Sequence, residues 1–326
     1  MERCAKEEQS MRFLVMGAGS MGSVVGGFLA KAGHAVTLLG RDPFMAAIRE
    51  HGLRITGIWG DHHVTNFDVR IDTAGLSAGD FDVILVTVKS YDTGVATEII
   101  APLVDDNTLV CAYQNGLGNA ETIAARIGWA RTIGARVIFG TWISEPGAAK
   151  VTVIANPTEI GPYTEATPKA RVHAIVEAMD AAGVPTLYTE TIATVLWGKV
   201  AYNSALNPLS ALLDVPYGVL AEAEHTRAIM REVIVELYAV ARAMNVPLDP
   251  DTAEAYLELF FGKLIPPTAA HYASMREDFR QQRRTEIDAL NGAICRFGRE
   301  HGIPCPTNET LTRLVLAREY ALGVRY

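Results

Sequence analysis

Residues 12–39 of the 326-residue chain read RFLVMGAGSMGSVVGGFLAKAGHAVTLL and contain a complete supersecondary pattern. The first five letters are an apolar run typical of a buried strand, and the glycine-rich GAGSMG follows at once. A helical pattern then covers Ser23–Ala32, Gly33 stops it, and Ala35–Leu39 is a second apolar strand. Strand, glycine motif, helix and strand in this order predict a βαβ unit that binds a dinucleotide.

Each glycine of the motif meets a different requirement of such a unit. Gly17 makes the tight turn, Gly19 lets the backbone approach a pyrophosphate, and Gly22 lets the helix pack closely on the strand. The helix N-terminus adds backbone N–H groups and a positive dipole end. A glycine-rich turn without a ligand is the weaker alternative. The motif therefore predicts these cofactor-binding residues: Gly17, Ala18, Gly19, Ser20, Met21 and Gly22.

The end of the second strand indicates which cofactor is bound. An NAD site has an acid there, which accepts a hydrogen bond from the ribose 2′-hydroxyl. This chain has Leu-Gly and then Arg41, whose guanidinium suits the 2′-phosphate of NADP. Asp42 comes one position later and leaves NAD open as the alternative. We therefore expect NADP, with NADPH as the reduced form.

The parallel sheet is predicted to continue along the chain. Near-continuous apolar runs over Asp82–Val88, Thr108–Ala112 and Arg131–Phe139 are typical of strands buried on both faces. Ligands of such sheets bind outside the carboxyl ends of the strands. Lys89 and Asn115 follow two of these runs and are candidate cofactor-binding residues. A surface lysine and a turn-forming Asn-Gly pair are the alternatives.

Strand signals fade after about residue 190, where helical periodicity takes over. The predicted fold class is α/β, with a Rossmann-type doubly wound sheet over residues 11–190 followed by an all-α domain over residues 191–326. The first ten residues, MERCAKEEQS, are polar and predict a disordered extension.

Composition excludes several classes of function. A net charge of -8 argues against a nucleic-acid binder, which needs a basic face. Four cysteines without a CxxC pair fit a reducing compartment, and we find no cluster that would hold a metal. No apolar run approaches the ~18 residues of a membrane helix, so we expect a cytoplasmic protein that does not bind membranes. A homodimer is possible, although no apolar stripe identifies its interface.

A lysine and two asparagines are spaced four residues apart in an apolar stretch of the second half. Lys199, Asn203 and Asn207 share one face of a helix predicted over Ile192–Ala205, and Pro208 is expected to end or kink it. These residue types suit a site for a polar substrate. The alternative is a lysine that reaches water beside two capping asparagines.

A carboxylate lies beside an apolar stripe in a second helical stretch, Ser274–Gly298. Glu286 stands at the margin of this stripe, and a buried carboxylate needs either a partner or a function. Lys199 is the candidate partner. The stripe consists of Ile287, Leu290, Ile294 and Phe297.

Five motifs in order carry a family resemblance. They are GAGSMG (17–22), VKSYDT (88–93), QNGLGN (114–119), WGKVAYNSALNPLSALL (197–213) and SMREDFRQQRRTEIDALNG (274–292). With these motifs the chain resembles the ketopantoate reductase (2-dehydropantoate 2-reductase) family over residues 11–320. The resemblance implies a Rossmann domain, a helical domain and an active site in the cleft between them. It also implies NADPH-dependent reduction of the 2-oxo group of ketopantoate to D-pantoate, for pantothenate and coenzyme A synthesis.

The resemblance also implies roles for single residues. Lys199 resembles the family's catalytic lysine, and Glu286 resembles its active-site glutamate. A lysine ammonium stabilises and protonates the oxyanion that forms when hydride attacks a ketone. Lys89 resembles a lysine near the cofactor, and Asp278 also falls within the motif. Positions that hold substrate or nicotinamide match Asn115, Asn203, Asn207 and Ser274.

Two alternatives to this function remain open. A related NADP-dependent reductase would act on another 2-oxo acid, because family resemblance sets chemistry better than substrate. A non-catalytic NADPH-binding module would bind the cofactor without oxidising it, and it would have no need of an acid catalyst.

Overall fold

The computed structural model describes residues 10–325, so all of the predicted extension except Ser10 lies outside the described residues. The chain divides into two compact units. The first comprises residues 10–114 and Ala120–Ile192, and the second comprises Asn115–Asn119 and residues 193–325. The sequence pattern had placed Asn115–Asn119 in the first domain, after a strand of the sheet. Which part of the function each unit performs stays a prediction.

The first unit is built from short strands and five helices within its described residues. The strands are β1 (Arg12–Met16), β2 (Ala35–Leu39), β3 (Leu53–Gly57), β4 (His62–Val64), β5 (Asp68–Arg70), β6 (Val83–Val86), β7 (Leu109–Ala112), β8 (Thr132–Arg136), β9 (Phe139–Glu145), β10 (Ala148–Ile154), β11 (Thr158–Pro162) and β12 (Thr186–Tyr188). The helices are α1 (Ser20–Lys31), α2 (Phe44–His51), α3 (Thr93–Ile100), α4 (Asn119–Ile127, whose first residue belongs to the second unit) and α5 (Lys169–Ala181), with 3₁₀ turns at Ser90–Asp92, Ala101–Leu103 and Trp129–Arg131.

The larger sheet has the order β12-β11-β8-β7-β6-β1-β2-β5. All neighbouring strands in it are parallel except β8 and β11, which are antiparallel. The run from β5 through β1 to β8 has the strand order of a Rossmann dinucleotide-binding sheet. Both faces are covered, because Phe13 and Val15 of β1 belong to one hydrophobic cluster and Leu14 and Met16 to another. This burial on both sides explains why the strands read as unbroken apolar runs.

A second sheet, β4-β3-β10-β9, also packs on α1, where a Cβ on Gly27 would lie 2.7 Å from Ile55 Cδ1 of β3. Here one sequence prediction needs correction. The single strand expected over Arg131–Phe139 is two strands. The first, β8, belongs to the larger sheet, and the second, β9, belongs to the second sheet. The next two strands, β10 and β11, likewise belong to different sheets. An apolar run indicates that a strand is buried, but it does not indicate which sheet the strand joins.

The helix after the glycine motif begins earlier than its apolar pattern predicts. α1 starts at Ser20 instead of Ser23, so the last three residues of GAGSMG form its first turn. Gly22 packs against the sheet, and a Cβ there would lie 2.5 Å from Thr87 Oγ1 and 2.8 Å from Val15 Cγ1. The close helix–strand contact expected from Gly22 is therefore present in the structure.

The regular secondary structure of the second unit is all helical, and no β-strand occurs among its described residues. Its helices are α6 (Ile192–Leu213), α7 (Tyr217–Glu222), α8 (Glu224–Ala243), α9 (Ala253–Leu259), α10 (Ser274–Arg280), α11 (Asn291–His301) and α12 (Pro306–Ala321), with a π-helical turn at Phe260–Leu264 and 3₁₀ turns at Pro266–Thr268 and Ile287–Ala289. The predicted fold class, a Rossmann-type sheet followed by an all-α domain, is confirmed. Among residues 10–325, no helix is both long and apolar enough to span a membrane.

Two helix predictions in this unit are wrong in their extent. α6 runs through Pro208 to Leu213, so the proline does not end the helix. The stretch Ser274–Gly298 is not one helix; α10, a 3₁₀ turn and the start of α11 share it. The apolar stripe is nevertheless buried. Ile287 and Leu290 are buried although they lie in and directly after the 3₁₀ turn and not in an α-helix.

Replacing Gly22 by alanine is expected to destabilise the first unit. The added Cβ would meet Thr87 Oγ1 at 2.5 Å and the carbonyl oxygen of Gly17 at 2.8 Å, so α1 would have to move. Such overpacking costs about 1–3 kcal/mol, which urea unfolding measures. Gly94→Ala in α3 is the control, because its Cβ meets nothing within 4 Å. Equal unfolding free energies for the two variants would contradict the close packing of Gly22.

Candidate active site

The glycine loop between β1 and α1 is held in a conformation that favours glycine. Gly17 has φ +99°, and a Cβ there would lie 2.5 Å from Val88 Cγ1 and 2.7 Å from its backbone nitrogen. The backbone N–H groups of Gly17 and Ala18 both donate to the carbonyl oxygen of Leu39 at 2.9 Å. A Cβ on Gly19, by contrast, would meet only a backbone oxygen at 3.8 Å. The loop is therefore closed on the side of the sheet and open at Gly19, where a diphosphate needs room.

The first turn of α1 completes an anion-binding cradle. The N–H groups of Ser20, Met21 and Gly22 lie in this turn, where backbone donors lack partners within the helix, and the turn contains no acidic residue. The Ser20 hydroxyl accepts a hydrogen bond from Thr141 Oγ1 at 3.1 Å, which ties the turn to β9. These donors and the open side at Gly19 fit the pyrophosphate of a dinucleotide.

The two cationic candidates stand at the carboxyl ends of β2 and β6. Arg41 follows β2, its side chain is 83% exposed, and its Nη2 donates to Asp92 Oδ2 at 3.1 Å. Lys89 is exposed and directly precedes the 3₁₀ turn that contains Asp92. The acid that left NAD open, Asp42, accepts a hydrogen bond at its Oδ1 from the backbone nitrogen of Ala46, in the first turn of α2. Its carboxylate is thereby engaged in holding α2.

In the second unit, α6 places Lys199, Asn203 and Asn207 on one face, as their spacing predicts. Lys199 and Asn203 are half-buried, and Asn207 is buried. Lys199 Nζ donates to Asn115 Oδ1 at 2.6 Å, so the ammonium lies against an amide of another segment. Both asparagines lie within α6 and not at its ends, which disagrees with a capping role. The pairing of Lys199 with Glu286 stays a prediction, and the hydrogen bond to Asn115 is a contact that the sequence pattern does not predict.

The amide of Asn207 is oriented by a tyrosine that sequence reasoning missed. Tyr217, at the start of α7, donates its hydroxyl to Asn207 Oδ1 at 2.7 Å. Burial raises the pKa of Tyr217 well above its usual value, so the hydroxyl keeps its proton at neutral pH. The NH₂ end of Asn207 is the end left to donate to a ligand. No periodicity links Tyr217 to Asn207, because they stand on different helices.

The segment Asn115–Asn119 is fixed to the residues around Glu286. The backbone nitrogen of Leu117 donates to the carbonyl oxygen of Ala289 at 2.8 Å. Gly116 has φ +86°, and a Cβ there would lie 2.5 Å from the same oxygen. Glu286 is half-buried and directly precedes the 3₁₀ turn Ile287–Ala289. One short segment therefore binds the lysine of α6 and packs beside the glutamate.

Ser274 and Asp278 lie on α10, which is tied to α6 at its start. Ser274 is its exposed first residue, and the preceding backbone nitrogen, of Ala273, donates to Ser210 Oγ at 3.2 Å. Ser210 is three residues beyond Asn207 on α6. Asp278 is buried, and Arg283 Nη2 donates to its Oδ1 at 3.0 Å, so this acid has a structural role in holding the loop after α10.

No set of three or more histidine, cysteine or acidic side chains that could hold a metal ion occurs within residues 10–325. The neutral asparagines, the ammonium and the hydroxyl of the second unit are donors that suit an anionic oxo compound. The glycine cradle of the first unit suits a dinucleotide. Together these features define a dinucleotide-dependent oxidoreductase of the Rossmann class.

Comparisons with known proteins give the family. A model described as ketopantoate reductase PanE/ApbA matches residues 13–165, and its C-terminal counterpart matches residues 191–319. The 2-dehydropantoate 2-reductase of Aquifex aeolicus (strain VF5) is 38% identical over 313 residues, covering 95% of this chain and 97% of the relative. That of Halobacterium salinarum (strain ATCC 700922 / JCM 11081 / NRC-1) is 34% identical over 306 residues, covering 94% and 98%. The chain belongs to the ketopantoate reductase family, whose members are pyridine-nucleotide-dependent oxidoreductases acting on CH–OH groups.

Solved structures agree with this assignment. The crystal structure of a PanE/ApbA family ketopantoate reductase from Ralstonia eutropha JMP134 has a TM-score of 0.83 and 33% identity, covering 96% of this chain and 100% of that chain. A complex of D-mandelate dehydrogenase with NADH has a TM-score of 0.82 and 25% identity, with coverage of 96% and 100%. The resemblance drawn from the five sequence motifs is confirmed.

Gly116→Ala is expected to detach the segment Asn115–Asn119 from Ala289. Its Cβ would lie 2.5 Å from the Ala289 oxygen, in addition to the strain of a positive φ. Gly302→Ala is the matched control, because Gly302 has φ +71° but nothing within 4 Å of its Cβ. The control should lose only the roughly 1–2 kcal/mol of left-handed backbone strain. Gly116→Ala should lose about 1–3 kcal/mol more in urea unfolding.

Hydrogen exchange gives a local measurement of the same change. The Leu117 amide, which donates to Ala289, should exchange faster in Gly116→Ala than in the Gly302→Ala control. An unchanged exchange rate at Leu117 would show that the segment tolerates a side chain at position 116.

Proposed function

We propose that the chain reduces the 2-oxo group of 2-dehydropantoate (ketopantoate) with NADPH and forms D-pantoate, a step of pantothenate and coenzyme A synthesis. The observation that carries the proposal is the hydrogen bond from Lys199 Nζ to Asn115 Oδ1. Lys199 lies on the same face of α6 as Asn203 and Asn207. An ammonium has three N–H donors, and the Asn115 oxygen accepts one of them. The activity named for the Aquifex aeolicus relative supports the same chemistry.

Lys199 is the proposed general acid. As negative charge develops on the substrate's carbonyl oxygen, the ammonium stabilises it and then transfers a proton from Nζ. Asn115 Oδ1 accepts one N–H of this ammonium and so fixes the direction of the others. Bound NADPH supplies the hydride.

The asparagines and Ser274 are proposed to bind the substrate. Asn203 and Asn207 offer neutral amides, which orient a polar ligand without competing with the charge of Lys199. The hydroxyl of Tyr217 holds the oxygen of Asn207, so this amide donates through its NH₂ group. Ser274 is proposed to donate its hydroxyl to the substrate carboxylate. Glu286 is proposed to accept a hydrogen bond from a substrate hydroxyl or to position the lysine.

NADP is the proposed cofactor, bound by the glycine loop together with Arg41 and Lys89. Arg41 follows β2, at the place where an acid would select NAD. Its guanidinium is exposed and can therefore reach a phosphate. Asp42 already accepts a hydrogen bond from Ala46 of α2, which makes it a weaker candidate for the ribose hydroxyl. Arg41 must exchange or share its contact with Asp92 to bind the 2′-phosphate.

A reductase of another 2-oxo acid is the second candidate, since the D-mandelate dehydrogenase structure has a TM-score of 0.82 to this chain. Loss of reduced-nicotinamide absorbance, measured with ketopantoate and a panel of 2-oxo acids and with NADPH or NADH, distinguishes the two. Preference for ketopantoate with NADPH supports the proposal. Preference for another 2-oxo acid changes the substrate but keeps the lysine chemistry. NADPH binding without any turnover would favour a non-catalytic module.

Lys199→Ala is expected to lower kcat by about 10²–10⁴-fold, the usual loss for a general acid. Its effect on the dissociation constant of NADPH should be small, because the glycine loop belongs to the other unit. Lys263→Ala, which removes an exposed lysine of the same unit, is the control and should leave kcat unchanged. A normal rate for Lys199→Ala would remove this lysine from the mechanism.

Arg41→Ala is expected to raise the dissociation constant of NADPH about tenfold or more, since charge-assisted hydrogen bonds contribute about 1.5–3 kcal/mol. NADH affinity should hardly change, because NADH has no 2′-phosphate. Arg126→Ala is the control, since Arg126 is also an exposed arginine of the first unit, paired with Glu98 at 3.3 Å. Equal losses for both cofactors in Arg41→Ala would refute the proposed contact with the 2′-phosphate.

A further inference from the structure

α6 continues through a proline that should interrupt its hydrogen bonds. In an α-helix the N–H of residue 208 would donate to the carbonyl oxygen of Ser204, but Pro208 has no N–H. Ser204 is fully buried, so water does not replace the missing donor. A buried carbonyl without a partner costs about as much as a lost hydrogen bond. The helix therefore needs a donor from elsewhere at Ser204.

Asn291, the first residue of α11, supplies this donor. Its Nδ2 donates to the carbonyl oxygen of Ser204 at 3.0 Å in a fully buried contact. Its Oδ1 has no hydrogen-bond partner among the described residues. The amide of Asn291 thus acts through its NH₂ group. This group supplies an N–H donor, which Pro208 lacks.

The orientation of this amide is set by a chain of hydrogen bonds that ends at a carboxylate. Asn291 Nδ2 also donates to Asn308 Oδ1 at 3.0 Å, and Asn308 Nδ2 donates to Glu236 Oε2 at 2.7 Å. Glu236 accepts as well from the backbone nitrogens of Thr307 and Asn308, in the first turn of α12. A flipped Asn308 would turn its oxygen toward the carboxylate. The charge of Glu236 therefore keeps the NH₂ group of Asn291 directed at Ser204.

We propose that Asn291 is a positioning residue: its side-chain amide replaces the donor that Pro208 removes and thereby holds the face of α6 that carries Lys199 and Asn207 against the segment that carries Glu286. Its catalytic consequence rests on the proposed function. Asn291 is fully buried and acts on the site through the backbone of α6.

Three hydrogen bonds then connect the segments of the site in a closed ring. The Lys199–Asn115 bond joins α6 to the segment Asn115–Asn119, and the Leu117–Ala289 bond joins that segment to the turn after Glu286. The Asn291–Ser204 bond, two residues beyond Ala289, returns to α6. Ser204 lies directly after Asn203, so movement of its carbonyl moves the substrate-binding face.

A double-mutant cycle tests the link between the proline and the asparagine. Asn291→Ala should lower the equilibrium constant of folding about tenfold, the equivalent of one buried hydrogen bond. Pro208→Ala restores an N–H that donates to Ser204, so Asn291→Ala should cost less than about threefold on that background. Pro266→Ala, at another proline of the same unit, should give no such relief. Equal costs on all backgrounds would overturn the proposal.

Kinetics separate positioning from a purely structural role. Under conditions where every variant is folded, Asn291→Ala should lower kcat/KM for the 2-oxo acid about tenfold or more, as misplaced groups do, and leave the NADPH dissociation constant unchanged. Adding Pro208→Ala should restore kcat/KM. Coupled stability without any change in kcat/KM would overturn the positioning role.

A second variant keeps the test decisive if Pro208→Ala fails to fold. Asn291→Asp keeps the side chain's shape but replaces its NH₂ donor by an acceptor, so it should destabilise at least as much as Asn291→Ala. Wild-type stability of Asn291→Asp would overturn the donor role. If the wild type turns over no 2-oxo acid, the proposed function fails, and the unfolding cycle still decides the link between Pro208 and Asn291.

Discussion

The hydrogen bond between Lys199 Nζ and Asn115 Oδ1, 2.6 Å long, is the contact on which the candidate site depends. A half-buried ammonium needs hydrogen-bond acceptors, and Asn115 supplies one from outside α6. The amide oxygen orients the lysine without adding a charge to the site. It also draws the segment Asn115–Asn119 into the helical unit, although this segment follows a strand of the sheet.

Both units use glycine to bring backbone segments closer than a side chain would permit. In the first unit, Gly22 lets α1 approach Thr87 beside the anion cradle. In the second unit, Gly116 lets the lysine-binding segment lie on the Ala289 carbonyl. In each case the missing Cβ sets the position of groups of the candidate site, because interiors are packed too densely to absorb even one methyl group.

Acidic and aromatic side chains restrict what the polar groups around them do. Asp42 accepts a hydrogen bond from the first turn of α2, and Asp92 accepts one from Arg41. Both carboxylates therefore already have partners within the protein. Tyr217 stays protonated through burial and fixes the amide of Asn207. A polar residue's role is therefore set as much by its protein partner as by its own chemistry.

The order of strand, glycine motif and helix, the shared face of Lys199 and Asn207, and the change to an all-α half follow from the sequence alone. These features depend on local periodicity and on the conformational limits of glycine, which a chain carries in neighbouring letters. The change of sheet after β8, the binding of Lys199 by Asn115 and the passage of α6 through Pro208 are decided by tertiary contacts. Asn291 is 83 residues beyond Pro208 in the sequence, and no local pattern pairs a missing donor with the side chain that replaces it. Such pairing exists only once packing has excluded water from Ser204 and left one amide within hydrogen-bonding distance.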